Sequence, residues 1–539
     1  MCRDTLAFNH LMSHKELKMP ACATREETID KPCLVNLIFP VPDTDFRDYL
    51  DEVAELVEFA PEIVEKIDKD LDAHAREKKR LRRADRKFFE SQTADLPELD
   101  VTERDILAEE LELAIGRTRM SGCLVYLFLM LRGFLGSLSS KPARRFLRES
   151  MSLHAFLQCR ELKMPGWTTI LENVNAVSNA TRDLILDKQI GYVLKEEFDD
   201  FKKLTIDSTA VKANSCWPTD GKMLTGLLGR AYHLGQRLHV FGLEDFKKGW
   251  VPRQLDEMDK LEFKICLSAG KAKSRGKMKK HYRKLLRKGQ KAIDSLVQQL
   301  GEFEAAELKM EALPPSRREL LTHVLKQIRC DLADAQRVVE YCKNRVFHDE
   351  KLPSTEKVLS LSDGSAAYIK KGGRDPVIGY KPQLVRSENG FVTSLIVPQG
   401  NAADSIKLEP AIRDSIRRTG VVAELVSTDD GYASAKGRAA LLAMGVKDVS
   451  ISGSKGKKIT DPDDWESETY RDARRNRSAV ESLMFTIKDG FEFGEVGRRG
   501  IDAVRAELTE KVVAYNCCRL ILMRERRKKR RLEEMKRAA

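Results

Sequence analysis

Three acids and a small set of cations in this chain have the types and spacing that phosphodiester chemistry needs. Arg477, Glu481 and Lys488 are spaced R-x3-E-x6-K within Asn476–Lys488, a stretch that reads as one helix. At about 100° per residue the three share one face, with Leu483, Phe485 and Ile487 spread round the others. One carboxylate flanked by two cations suits a surface that holds a metal ion and a phosphodiester together. The plainer account of that helix alone is a solvated face whose glutamate pairs with its neighbours. Two aspartates elsewhere add weight. Leu204–Val211 reads as a buried strand with Asp207 at its end, and an acid there is costly to bury unless something such as a metal ion compensates it. Capping the next turn is the plainer role of Asp207-Ser208-Thr209. Asp429 follows the strand Val421–Ser427, in Thr428-Asp429-Asp430-Gly431-Tyr432. Three carboxylates meeting at one sheet edge must be neutralised, and Mg²⁺ does so with oxygen ligands while keeping waters for a substrate phosphate. Two such ions about 4 Å apart would stabilise the attacking and leaving oxygens of an in-line displacement at phosphorus. Arg477 and Lys488 would then bind nonbridging oxygens or flanking phosphates. No Ser-His-Asp or Cys-His arrangement and no phosphate-binding glycine loop competes for the role.

The elements that must position these residues belong to a long chain. At 539 residues, two to four domains are expected. Hydrophobic residues make up 42% and charged residues 33%, a globular rather than disordered composition. A net charge of +12 favours a polyanionic partner over a neutral small molecule. The eleven cysteines are scattered, without a C-x2-C pair or histidines at zinc spacing, which suits a reducing cytosol. Met1-Cys2-Arg3-Asp4 does not open a signal peptide. The longest apolar run, Cys123 to Leu131, is interrupted by Arg132 and too short to span a bilayer, so it reads as a buried helix. These features predict a cytoplasmic protein with no membrane partner.

Residues 1–95 read as a loop-like stretch followed by a helix around Phe46–Lys69, which runs into the basic Arg76–Arg83, a solvated helix face in preference to a phosphate contact. Residues 96–195 are helical throughout. There, Phe146–Leu157, a connector ending in Met164-Pro165-Gly166 and a short helix capped by Thr168 or Thr169 outline a helix-turn-helix, which marks this as a DNA-binding region. Residues 219–355 form a basic helical insertion in which Lys264–Lys291 contains no acid. Lys279, Lys280, Arg283, Lys284, Arg287 and Lys288 crowd one helix with a thin apolar stripe. So many like charges repel unless a polyanion neutralises them, so nucleic acid is favoured there over calmodulin or a membrane.

After Pro353 the period becomes that of strands. Val358–Ser362, Ala366–Ile369, Val377–Val385 and Phe391–Val397 are candidates, the last two joined by a hairpin at Asn389-Gly390. A helix over Ser405–Arg418 stopped by Gly420, the strand before Asp429, a helix over Ser434–Met444 stopped by Gly445 and a strand at Val449–Ile451 complete a mixed α/β core. That core comprises residues 196–218 and 356–520. The tail, 521–539, is a basic helical extension: a nonspecific phosphate grip or a solubilising end.

Taken in order, Asp207-Ser208-Thr209, Asp429-x-Gly431-Tyr432 and Arg477-x3-Glu481-x6-Lys488 resemble the DDE transposases of bacterial insertion sequences, specifically an ISNCY-like group whose glutamate helix carries Y-x2-R-x3-E-x6-K. Pro218-Thr219-Asp220, Gly379-Tyr380-Lys381 and Gly400-Asn401-Ala402-Ala403-Asp404 resemble the same group, so the likeness covers roughly residues 140–520. It implies a ribonuclease-H-like core and two Mg²⁺ (or Mn²⁺) ions held by Asp207, Asp429 and Glu481. It also implies double-stranded DNA as substrate, both element ends with terminal inverted repeats and target DNA, and a homodimer holding paired ends. Water would first cut at the element ends, and the freed 3′-hydroxyl would attack the target. The chain departs from the pattern in two places. Arg474 occupies the tyrosine position, so the phosphate contact expected there falls to an arginine and the hairpin release route is not implied; Tyr470 lies one turn earlier. The insertion lies between Asp207 and the second strand, whereas many relatives carry theirs between the second aspartate and the glutamate. Asp430 sits beside Asp429, and the D-x-G-Y pattern selects Asp429.

Two other functions share much of this sequence. One is a repurposed transposase that only grips DNA; the other is a structure-selective nuclease without strand transfer. The three acids favour an enzyme, because a pure binder has no use for them, and the helical and basic regions favour recognition of defined ends.

Overall fold

The computed structural model describes residues 44–93, 120–139, 141–157, 165–215, 217–238, 250–268, 274–305, 313–350, 352–370 and 375–538. The expected loop over the first 43 residues and the connector up to Met164 lie outside them. The described residues form two compact units, one drawn from 1–72, 120–214 and 369–539, the other from 73–119 and 215–368.

The first unit contains a five-stranded mixed sheet. Its strands are β1 (Lys203–Ser208), β5 (Gln383–Ser387), β6 (Val392–Ile396), β7 (Leu425–Thr428) and β8 (Asp448–Ile451), in the order β6-β5-β1-β7-β8. β1, β7 and β8 run parallel, while β5 is antiparallel to β1 and to β6. β1 alternates in burial: Leu204 and Ile206 are buried, Thr205 and Asp207 less so. The period of two puts the apolar pair on one face. That face packs with Val426, Val449 and Ile451 against Leu408, Ala411 and Ile412 of α12 (Leu408–Thr419) and Leu441 of α13 (Ala435–Ala443). α12 ends where Gly420 adopts φ 68° and its N–H closes on Ile416 O at 2.8 Å, the left-handed stop expected of glycine. The hairpin at Asn389-Gly390 forms, with Gly390 at φ 95°.

The strand expected at Ala366–Ile369 forms as β3 (Ala367–Ile369), but Val377–Val385 is not one strand. Lys381-Pro382 divides it into β4 (Val377–Tyr380) and β5, and β4 pairs instead with the two-residue β2 (Val211–Lys212). Proline has no N–H to give a ladder, so the chain changes sheets there. Similarly, Phe46–Lys69 is two helices, α1 (Thr44–Phe59) and α2 (Glu62–Thr93), broken at Ala60-Pro61. The apolar run at 123–131 is α3 (Gly122–Phe134), buried from Val125 to Phe134. Around the supposed helix-turn-helix the chain forms α4 (Lys141–Glu149), α5 (Met151–Phe156), α6 (Trp167–Ala176) and α7 (Asn179–Lys195). α6 starts one residue ahead of Thr168 and two ahead of Thr169, with Gly166 at its N-cap and no side-chain cap.

The second unit is a bundle of α8 (Asp220–Arg237), α9 (Trp250–Ser268), α10 (Arg275–Ala305) and α11 (Pro315–Phe347). Tyr282, Leu285, Leu286 and Ile293, the apolar stripe of the basic helix, are buried in this core against residues such as Leu228 and Val339. The stripe therefore faces the bundle and not a membrane. The expected strand Val358–Ser362 does not form; Val358 packs on the bundle core and the Ser360 hydroxyl caps the turn at Asp363 N, 3.0 Å away. Among the described residues no helix is long and apolar enough to cross a membrane.

Candidate active site

Asp207 and Asp429 come together at the carboxyl ends of neighbouring parallel strands. The register pairs Leu204 with Val426 and Thr205 with Ser427, whose hydroxyls lie 2.8 Å apart. Carrying that register two residues further sets Asp207 opposite Asp429, just past the end of β7, each on the side of its strand that Thr205 and Ser427 face. Each carboxylate is oriented by a local amide: Asp207 Oδ1 accepts from Ser208 N at 2.6 Å and Asp429 Oδ1 from Gly431 N at 3.0 Å. Asp430 is engaged elsewhere. Its Oδ1 accepts from Lys455 N at 2.8 Å and Gly456 N at 3.0 Å, at the start of α14 (Ser454–Ile459).

The glutamate helix is built differently from the expected Asn476–Lys488. α16 (Glu468–Asn476) and α17 (Ser478–Gly490) meet at Arg477, whose backbone keeps helical angles. Glu481 falls in the first turn of α17, where a carboxylate suits the helix dipole. Its side chain is 66% exposed and accepts from Arg477 Nη2 at 3.4 Å. At the far end of α17, Lys488 Nζ donates to Ala210 O at 3.3 Å, just past the end of β1. Val480, Leu483 and Ile487 form the buried side of α17, while Phe485 is exposed.

Two oxygen-donor carboxylates side by side fit a divalent cation, which takes one or two protein carboxylates and completes its shell with water and phosphate oxygens. Among the described residues no three of His, Cys, Asp and Glu gather closely enough to hold one metal ion. The structure thus brings Asp207 and Asp429 together and leaves Glu481 on its own arginine.

The remaining expected contacts are distributed as follows. Arg474 lies over the ring of Trp465, in α15 (Pro462–Glu466), at 4.3 Å and donates to Trp465 O at 2.9 Å. Tyr470 is buried, and its hydroxyl lies 3.3 Å from Val449 N and 3.4 Å from Arg438 Nη2. Tyr470 is therefore a packing residue. On α10, Lys280, Arg283, Lys284 and Arg287 are exposed, and Lys279 is half-buried. Arg283 lies over the Phe347 ring at 5.4 Å. Lys288 is committed to Glu257 and to Gln254, 3.1 Å from the latter.

Four side chains that spacing did not single out lie beside the aspartate pair. Asp404 Oδ1 accepts from Lys381 Nζ at 2.9 Å and from Gln383 Nε2 at 3.0 Å, and the Gln383 carbonyl accepts from the Tyr432 hydroxyl. Burial pushes the Tyr432 phenol above its ordinary range, and the charges of Asp404, Asp207 and Asp429 push it the same way. Lys381, Asp404 and Tyr432 all belong to motifs visible in the chain. Gln383 carries no sequence signal, being a buried polar residue in a strand.

Residues 339–517 match the family described as Transposase DDE domain. The match contains Asp429 and Glu481 and begins after Asp207. No curated protein and no solved structure matches the chain. Over those residues the chain is similar to DDE transposases of the insertion-sequence type.

Proposed function

We propose that this protein is a bacterial enzyme which binds the terminal inverted repeats of its element, cuts DNA there with Mg²⁺ or Mn²⁺ and joins the freed end to target DNA. The observation that carries the reading is the parallel register of β1 and β7, which brings the strand ends at Asp207 and Asp429, from distant parts of the chain, next to each other. The sheet order β6-β5-β1-β7-β8, in which β1, β7 and β8 are parallel and β5 and β6 antiparallel, supports a ribonuclease-H-like core. Ligand sites of mixed and parallel sheets favour such strand ends.

In this reading Asp207 and Asp429 hold the cation, and Glu481 leaves Arg477 to join them when DNA is bound. A bound divalent pair would neutralise charge developing on the attacking and leaving oxygens. Lys488, already at the mouth of β1, meets a phosphate oxygen; Arg477, once released, and Arg474 lie on the same helical approach. The cationic side of α10, with Lys279, Lys280, Arg283, Lys284, Arg287 and Lys288, follows the backbone of the duplex. The helices of 96–195 read the ends, and two copies pair them. Such a protein works at the nucleoid in the cytoplasm. A binding-only protein would have no reason to set two aspartates side by side.

The test is cleavage of a labelled duplex bearing the element's own end, with Mg²⁺ or with EDTA, by wild type and Glu481→Gln. Metal-dependent cutting at the repeat boundary by wild type, and binding without cutting by the variant, supports the enzyme. Equal binding with no cutting by either protein leaves the grip on DNA as the whole function.

A further inference from the structure

We infer that Asp404 is a positioning residue for Asp429, acting through Gln383 and Tyr432, with Lys381 as its fixed counter-ion. The inference rests on the proposed metal-dependent reaction. Its basis is a continuous chain of polar groups under the aspartate pair. Lys381 and Asp404 are 11% and 13% exposed and form an ion pair of 2.9 Å, and Lys381 also reaches Ala402 O at 3.4 Å. Asp404 holds the Gln383 amide, and the other end of that amide holds the Tyr432 hydroxyl.

Two members of this chain meet the site. Gln383 pairs across the sheet with Ser208, and its neighbour Leu384 with Asp207. Tyr432 closes the turn that begins at Asp429, its N–H bonding Asp429 O at 3.2 Å. The second oxygen of Asp404 faces the same turn: its Oδ2 and Asp429 Oδ1 lie 3.4 and 3.0 Å from where a Gly431 Cβ would stand. Gly431 thus lies between the two carboxylates.

Three acids, Asp207, Asp404 and Asp429, therefore crowd one buried phenol, and unbalanced they would repel each other. Lys381 neutralises the one that carries the scaffold. Gln383 converts that fixed pair into a fixed position for the Asp429 turn, because an amide held at both ends can neither flip nor swing without breaking a bond. Partners that orient a metal-holding carboxylate change metal affinity about 10- to 100-fold when removed.

The test uses the full-length protein and Mn²⁺, followed by electron paramagnetic resonance of the free ion. Asp404→Asn keeps shape but releases Lys381; Tyr432→Phe removes only the hydroxyl at the opposite end of the chain. Both are expected to weaken Mn²⁺ binding about tenfold, and to raise by a similar factor the Mg²⁺ needed for half-maximal cleavage while saturating metal restores most of the rate. Asp207→Asn serves as the reference for loss of a direct ligand. If both variants lower the melting temperature yet bind Mn²⁺ as wild type does, the network is structural only and the inference is overturned. If wild type binds no more Mn²⁺ than Asp207→Asn, the metal site itself fails and takes the inference with it.

Discussion

Lys488 holds the carbonyl oxygen of Ala210 at 3.3 Å, so the last turn of α17 is fastened to the chain immediately beyond the strand that bears Asp207. Seven residues earlier, Glu481 is exposed and paired with Arg477 at 3.4 Å. The lysine end of the helix is thus seated while the glutamate end is loosely held. Lys488→Met should leave the fold intact, because the lysine lies at the end of α17, outside its buried side of Val480, Leu483 and Ile487. Cleavage should fall about 10- to 100-fold if the ammonium meets a phosphate, the scale of a charged hydrogen bond. Single-turnover cleavage at saturating DNA measures this, and an unchanged rate would remove Lys488 from the site.

Asp429 and Asp430 are adjacent yet should respond differently. Asp429→Asn removes a carboxylate from the pair with Asp207 and should reduce metal-dependent cleavage at least about 100-fold with little effect on melting. Asp430→Asn should keep cutting, since its oxygen serves two amides at the start of α14. It should cost less than about 1 kcal/mol of stability, since the asparagine oxygen can still accept from both N–H groups. Loss of activity in Asp430→Asn with Asp429→Asn active would reverse the assignment.

Glu510 lies in α18 (Ile501–Ala538), fully buried among Arg132, Arg182 and Arg498, at 2.7, 2.6 and 2.6 Å from their guanidinium nitrogens. Burial alone would push its carboxyl up, but the three guanidinium groups more than offset that and hold it below the ordinary range. A folded-state value below the unfolded one, about 4.3, contributes stability above that pH. That stability is lost as pH falls further toward the folded value. Wild-type melting should therefore fall as pH drops below about 4.5. Glu510→Gln should flatten this dependence and lower stability at neutral pH by about 3–5 kcal/mol, the cost of breaking a buried pair. Calorimetry from about pH 3.5 to 7 would show an unchanged slope if Glu510 were not the group responsible.

Exposed Lys280, Lys284 and Arg287 recur every three or four residues along α10, one side of the helix. Changing all three to alanine should leave the bundle folded, since its core lies on the opposite stripe of Leu285, Leu286 and Ile293. The slope of log affinity against log salt should decrease by about one for each phosphate that the helix no longer neutralises. Fluorescence anisotropy between low and moderate salt measures it, and an identical slope would exclude α10 from the DNA-binding surface.

Much of the core was legible in the chain because its signals are local. Gly390, Gly420 and Gly445 stop or turn the chain at the expected places, each at positive φ. Apolar alternation marked β6 and β8 closely, whereas the strand expected over Leu204–Val211 divides into β1, ending at Ser208, and β2 in the other sheet. The misreadings also have local causes. Pro382 and Pro61 divide segments whose apolar pattern runs straight through them, and Val358 is buried by a bundle rather than by a sheet. The junction at Arg477 carries neither glycine nor proline, so nothing in the spacing announced it.

By itself the sequence determined the residue types of the candidate site, the strand ends that carry Asp207 and Asp429, and the helix that carries Glu481 and Lys488. The tertiary structure decided who meets whom. A basic helical insertion separates β1 from its partners in the chain, and strand pairing across such a gap depends on shared burial, which no local pattern encodes. It was this pairing that placed Asp207 beside Asp429 and put Asp404 beneath the turn. Those placements follow from register, helix seating and buried charge balance, properties of the packed chain rather than of any segment.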